Sequence, residues 1–342
     1  MRAKKVAAIL LAGMLGVSLL AGCGQIDQNA VVGTVSGDEV PMGLVNFYCR
    51  VQQASYEDIY RMYLGAEDVW MADPYNSGTN MQDSVKESAF EEIHEMYTLK
   101  AHMGDFGVAL TEEDNAAISA AAAKFMTDNT PEAIKELGAS QELVEQLLGL
   151  FTIRARVTDA VKAQADAAVS DEEANMRGYT QLVVTASEEE DAESAKARAV
   201  QIQTQLAAEG ATLESVAEAN GLSAAKQTYA TYAAEGEEAG AETEDAVMAA
   251  LKGMKQGETS DMIEKDGSWY FLRVDSDTDA EATENKRKSI IEERQNTHYR
   301  DVLAGWQTDD GWEPDMSLFG KIQFETSLTT TDPNAPATES AQ

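Results

Sequence analysis

The chain is predicted to be an α+β protein, mostly helical, with a mixed strand–helix region set into its second half. Three observations lead there. Apolar residues recur at helical spacing through the first half of the chain. After Ser170-Asp171-Glu172-Glu173 that spacing gives way to short strand-like runs between helices. Helical spacing then returns over residues 284–306. A chain of 342 residues with 44% hydrophobic residues has room for two domains with cores of their own.

The elements follow in order. Val31 to Val35 reads as a strand, turned by Gly37-Asp38. Pro41 opens a helix on which Leu44, Tyr48, Val51, Ser55, Ile59 and Met62 share one face, and Gly65 ends it. Residues 66–80, with Pro74, Asn76 and Gly78, read as a loop. A second helix runs from Asp83 to Met103 with Val85, Ala89, Ile93, Met96 and Met103 as its apolar stripe. Thr111 followed by Glu112, Glu113 and Asp114 starts an Ala-rich helix to Met126, with acids where the helix dipole favours them. Pro131 to Gly138 is a short helix. Ser140 caps a long one carrying Leu143, Leu147, Leu150, Ile153, Val157 and Val161.

From residue 171 the order is strand, helix, helix, strand, helix, strand, strand. The runs are Tyr179–Thr185, an Ala-rich helix after Glu188–Asp191 that ends near Gly210, Thr212–Ala219, Gln227–Tyr232, Glu242–Met254, Ser260–Glu264 and Trp269–Val274. Turns at Asn220-Gly221, Gly257-Glu258 and Asp266-Gly267 separate them. The helix over 284–306 carries Ile290, Ile291, Tyr299, Val302 and Leu303. Lys321–Ser327 is a last strand candidate. The Thr-, Pro-, Ala- and Ser-rich end is expected to be a disordered tail.

The N-terminus carries its own signal. Arg2, Lys4 and Lys5 precede an apolar run, Val6 to Leu20, too short to span a bilayer. Leu20-Ala21-Gly22-Cys23 follows, the lipobox pattern of bacterial lipoproteins. Residues 1–22 therefore read as a signal peptide, Cys23 as the lipidation site and 23–29 as a tether. The expected location is extracytoplasmic, lipid-anchored on the outer face of the bacterial cell membrane.

The charge is strongly acidic: 60 Asp and Glu against 26 Lys and Arg, net −34. Such a surface repels nucleic acid, so no nucleic-acid partner is expected. It keeps the protein soluble and could also attract basic unfolded chains. With Cys23 in the anchor, Cys49 is left alone, so no internal disulfide forms, and its place in an apolar helix pattern marks it as a small buried residue. His94, His102 and His298 form no HxH or HExxH pair and there is no CxxC, so neither a metal nor a cofactor is expected. There is no nucleophile elbow, Walker loop or dinucleotide fingerprint. Met42, Met62, Met71, Met81, Met96 and Met103 fit either a helical core or an adaptable client-binding surface. Tyr56, Tyr60, Tyr63 and Trp70 carry the same two readings.

The layout resembles extracytoplasmic foldases of the PrsA and SurA kind. The resemblance rests on the opening strand, turn and helix with Asn46-Phe47-Tyr48, on Gly257-Glu258-Thr259-Ser260 followed by Ile263 and Gly267, and on the lipobox. It implies a helical chaperone domain formed by both chain ends (residues 30–170 and 278–327), an inserted parvulin-type prolyl isomerase domain (171–277) and a tail (328–342). Parvulin domains open with Ser-His-Ile-Leu. Here Thr180-Gln181-Leu182-Val183 stands there, so Gln181 takes the histidine's place. Thr228 falls at the acidic or thiol position, and Tyr270 near the second histidine. Val247, Met248 and Trp269 are implied to line the peptide pocket. The implied function is a membrane-anchored folding factor that binds unfolded or nascent secreted polypeptides, with weak or absent isomerase activity. A solute-binding lipoprotein and a non-catalytic assembly scaffold are the alternatives, and a homodimer stays open.

Overall fold

The structure is a computed structural model. It describes residues 14–17, 26–64, 69–187, 190–232 and 245–331. Cys23, Gly65, Glu188 and the tail beyond residue 331 lie outside the described residues. The chain divides into two compact units, residues 166–296 and the sequence on either side of them.

In the flanking unit, β1 (Met14–Val17) falls within the segment read as a signal. The hairpin β2 (Val31–Val35) and β3 (Asp38–Pro41) follows. Ser36 and Gly37 both have positive φ, 51° and 89°, the turn whose twist matches a two-residue hairpin. Then come α1 (Met42–Leu64), α2 (Met81–Ala101), α3 (Glu112–Asp128), α4 (Pro131–Leu137) and α5 (Gln141–Lys162). Side chains cap the starts of α2 to α5: Asn80, Thr111, Thr130 and Ser140 each accept a first-turn N–H. Leu147, Val157 and Val161 of α5 and Ala89, Ile93 and Met96 of α2 are fully buried, as their spacing predicts. Cys49 is buried too, and burial pushes its thiol up to about 12, which leaves it unreactive.

The apolar stripe predicted along α1 holds only for its first half. Leu44 and Tyr48 are buried, but Ile59 is 44% and Met62 73% exposed. In the second half the buried face is polar: Arg50, Gln53 and Glu57 are all at 2% exposure or less. Gln53 and Glu57 take partners from the end of the chain. Gln53 Nε2 donates to the Thr326 carbonyl (2.7 Å), and the Leu328 N–H donates to Glu57 (2.9 Å). Ser327 Oγ and Arg61 also donate to Glu57. Buried Lys86 of α2 donates to the Ile322 carbonyl (3.1 Å), and Gln82 accepts the Phe324 N–H (2.6 Å).

This corrects the strand expected over Lys321–Ser327. Side chains of α1 and α2 take up backbone groups of that stretch, and it runs irregular. The strand β8 forms just beyond, at Leu328–Thr331, so the start of the expected tail is ordered, and Leu328 is fully buried. β8 pairs antiparallel with β1.

The 310–315 stretch holds the opening hairpin in the same way. The Asp310 carbonyl accepts the Ser36 N–H (2.6 Å), and the Val32 carbonyl accepts the Asp315 N–H (2.7 Å). The Trp312 ring lies 2.8 Å from where a Cβ on Gly33 would be, so only glycine fits.

In the unit 166–296, β4 (Met176–Thr185), β5 (Ala224–Ala230), β6 (Ile263–Lys265) and β7 (Ser268–Ser276) form one antiparallel sheet in the order β5-β4-β7-β6. α7 (Ala192–Leu206) and α8 (Leu213–Ala219) pack on one face with Leu182, Val184, Trp269 and Phe271. α9 (Ala246–Gly253) packs on the other with Tyr179, Tyr229, Leu272 and Val274. A one-turn helix, α6 (Asp171–Ala174), precedes the sheet. α10 (Ala280–Asp309) follows the sheet in sequence and runs on past residue 296, and a last turn, α11 (Met316–Phe319), belongs to the flanking unit. From β4 to β7 the order strand, helix, helix, strand, helix, strand, strand matches the sequence reading. Boundaries move by a few residues, as for the strand expected over Ser260–Glu264, which forms at Ile263–Lys265.

Glu57→Ala removes the shared acceptor from a buried site and should destabilise the flanking unit by about 3 kcal/mol, whereas Ser327→Ala should cost about 1 kcal/mol. Urea titration followed by amide exchange of residues 322–331 reads this directly. A Glu57→Ala loss no larger than that of Ser327→Ala would show that Glu57 does not anchor the returning chain.

Candidate functional site

The sheet's two faces have different chemistry, and strand register assigns each side chain to one of them. Gln181 lies opposite Leu272, and Val183 opposite Tyr270. Residues directly opposite point the same way. Gln181, Val183 and Tyr270 therefore share the α9 face with Leu272. Gln181 and Tyr270 are diagonal neighbours there, about 7–8 Å apart by strand geometry. Both are half-buried, as are Met248 of α9 and Ile263 of β6. Val247 is 6% exposed and packs into the small core beneath α9. The structure thus brings together four of the expected site residues: Gln181, Tyr270, Val247 and Met248.

Two others fall elsewhere. Thr228 lies opposite Gly178 on β4, while its neighbour Tyr229 is buried on the α9 side, so Thr228 faces away from Gln181 and Tyr270. Trp269 points into the core beneath α7 and α8 at 2% exposure, which corrects its assignment to a peptide pocket. Alternation along the strand decides both cases: one residue's step moves a side chain to the other face.

Sequence reading missed the groups that fix α9. Arg177 donates to the Met254 carbonyl (3.0 Å), the Leu251 carbonyl (3.3 Å) and the Tyr229 hydroxyl (2.8 Å), and Tyr229 donates to the Leu251 carbonyl (2.9 Å). A guanidinium and a phenol thus satisfy carbonyls at the helix's C-terminal end. At the other end Asp245 caps Val247 (2.9 Å) and receives Lys265 (2.6 Å), whose ammonium holds the Asp245 carboxyl below its usual range. The signal available was Arg177 at the start of an otherwise apolar strand. The Gly257–Ser260 turn is bound to β7 as well. The Gly257 N–H donates to the Val274 carbonyl (2.8 Å), and Ser260 Oγ accepts the Leu272 N–H (2.9 Å).

The opposite face carries a polar cleft of about 530 Å³ lined by Thr228, Lys226, Glu214, Arg273, Asp275 and Asp279 among others. Arg273 grips Glu214 through both terminal nitrogens (2.8 and 2.7 Å) and Asp275 through Nε (2.7 Å). Its charge is spent within the fold, tying α8 to β7.

On the α9 face the chemistry available is an apolar wall with one amide and one phenol. Both can donate and accept hydrogen bonds. The described residues contain no group of three or more His, Cys, Asp or Glu placed to hold a metal.

Residues 170–285 match the family described as the PPIC-type PPIASE domain, so the chain carries a parvulin-type domain there. No curated protein matches the chain. Among solved structures it is similar to a foldase protein, PrsA, of Lactococcus lactis: 14% identity over 86% of this chain and 99% of that one, TM-score 0.33. It is also similar to PrsA of Bacillus subtilis, at 12% identity over 74% and 98%, TM-score 0.25. A third is from a study of SurA-like chaperones of Campylobacter jejuni, at 11% identity over 84% and 100%, TM-score 0.30.

The Arg273 grip, above all its hydrogen bonds, lowers the Glu214 carboxyl from 4.5 to about 2. A depressed carboxyl stabilises the fold above its unfolded value and loses that contribution as pH falls through its folded one. Wild type should therefore lose more thermal stability than Glu214→Gln between pH 4.5 and 2. Parallel melting curves for the two proteins across that window would contradict the assignment.

Proposed function

We propose that this protein is a lipid-anchored extracytoplasmic folding factor whose parvulin-type domain binds unfolded secreted polypeptides with weak or absent isomerase activity. The observation that carries the reading is a parvulin-type sheet whose α9 face bears Gln181 and Tyr270 at the positions the resemblance gives to paired histidines. Rotation about an X–Pro bond faces a barrier of about 18–20 kcal/mol. An isomerase lowers it by holding the ring in an apolar pocket and favouring the twisted amide through placed hydrogen bonds. The α9 face keeps the pocket wall. Its polar pair differs in reach and in hydrogen-bond geometry from two imidazoles. Binding of an extended segment survives that exchange, and catalysis suffers from it.

The location is supported by the N-terminal sequence, basic start, short apolar run and Leu20-Ala21-Gly22-Cys23. Among the described residues no helix is long and apolar enough to cross a membrane. A client surface on the flanking unit is supported by Tyr56 (38% exposed), Ile59, Met62, Tyr63 (77%) and Met71 (61%), all on or just after the second half of α1. Met42, Met81 and Met96 are core residues instead, as is Trp70.

The test pairs two assays on the purified protein. Aggregation of a chemically unfolded protein should be suppressed at stoichiometric amounts. A proline-limited refolding phase, which takes tens of seconds unaided, should change by about twofold at most. Gln181→Ala should leave the suppression intact. Refolding accelerated as by an intact parvulin would overturn the loss of catalysis, and failure to suppress aggregation would overturn the folding-factor reading.

A further inference from the structure

β8 is anchored by α1 on one side and pairs with β1 on the other. Its first N–H, from Leu328, is spent on Glu57 of α1. Along an extended strand successive residues direct their N–H and C=O groups to opposite sides. Thr329 and Thr331 therefore turn theirs away from α1, toward the edge where β1 lies. There Thr329 pairs with Gly16 and Thr331 with Met14, in a sheet of only these two strands. β1 is Met14-Leu15-Gly16-Val17, an apolar segment upstream of Cys23. A protein processed at Cys23 no longer contains it, and the edge of β8 loses its partner.

We propose that this edge of β8 is a strand-addition site for extended apolar segments of unfolded polypeptides, which residues 14–17 occupy in the unprocessed chain. Pairing through the backbone tolerates many sequences, as a folding factor's clients require. The occupant seen on the edge is itself apolar and extended, and it carries no charge that would tie recognition to a particular sequence. The rest of β8's surroundings persists without β1, because Gln53, Glu57, Gln82 and Lys86 hold the approach to β8. This inference rests on the export-signal reading above.

The experiment uses protein extracted in detergent from the membranes of an expressing host, with its N-terminus defined by mass spectrometry, beside the unprocessed chain. Two fluorescent probes are titrated: a peptide of residues 12–18 and an alternating Val-Thr heptapeptide of unrelated sequence. The processed protein should bind both, and the unprocessed chain at least about tenfold more weakly, since its own strand competes. Thr329→Pro removes an outward N–H and should weaken binding about tenfold or more, whereas Thr330→Pro removes one directed toward α1 and should not. Amide exchange at residues 329 and 331 should slow when peptide is bound. Absence of saturable binding would overturn the inference while leaving aggregation suppression to judge the folding-factor reading. Binding of the 12–18 peptide alone would make the edge a private site for this chain's own leader and overturn the client assignment. Equal loss in the two proline variants would overturn strand pairing. An N-terminus still carrying residues 14–17 would overturn both the inference and the signal reading.

Discussion

Arg50, Gln53 and Glu57 can stay buried in the flanking unit only if polar partners reach them from elsewhere in the chain. An unpaired carboxylate or amide inside a core costs several kcal/mol. Gln53 and Glu57 find theirs more than 260 positions away in sequence, at the Thr326 carbonyl, the Ser327 hydroxyl and the Leu328 N–H. Lys86 and Gln82 of α2 impose the same demand on residues 322–324. Each bond to the backbone satisfies a buried side chain and a backbone group that would otherwise need a strand partner. The core of the unit is thus closed by a segment with little regular structure of its own. The Asp310–Asp315 stretch does the same for the opening hairpin.

The parvulin-type domain follows a similar rule on a smaller scale. α9 is short and sits over the sheet with Val247 and Leu251 packed on Tyr179, Tyr229, Leu272 and Val274. Arg177 and Tyr229 take its last carbonyls, and Lys265 holds its capping aspartate. The helix is therefore fixed at both ends by side chains from three different strands. Gln181 and Tyr270 project from the sheet into a face whose shape is already set by that frame. A change in the polar pair alters the chemistry of that face without disturbing its frame.

Much of this was legible in the sequence. Helix starts were marked by Thr111 and Ser140, whose side chains accept first-turn N–H groups. Turns were marked by Asp266-Gly267, where positive φ suits both residues. The element order of the inserted domain followed from periodicity alone. The second half of α1 was misread because its apolar residues do form a stripe, but the side facing inward is the polar one. No local pattern announces that inversion, since its cause is backbone arriving from the far end of the chain. The Lys321–Ser327 stretch was misread for the matching reason: its alternation suits a strand, yet its hydrogen bonds go to side chains. Thr228 and Trp269 were misplaced because a motif aligned by sequence does not say which side of a sheet a residue faces until register is known.

The closing segment has a consequence for the order in which the protein is made. A chain emerging from its N-terminus presents α1 and α2 with their buried polar side chains still lacking partners. The inserted domain is complete by residue 296 and can fold when it appears. The flanking unit cannot, because the groups that close it are synthesised last. It stays open until the inserted domain has already been made. A product cut short before residue 322 would retain a finished parvulin-type domain between two halves of an unfinished core, and proteases would distinguish it readily from the whole protein.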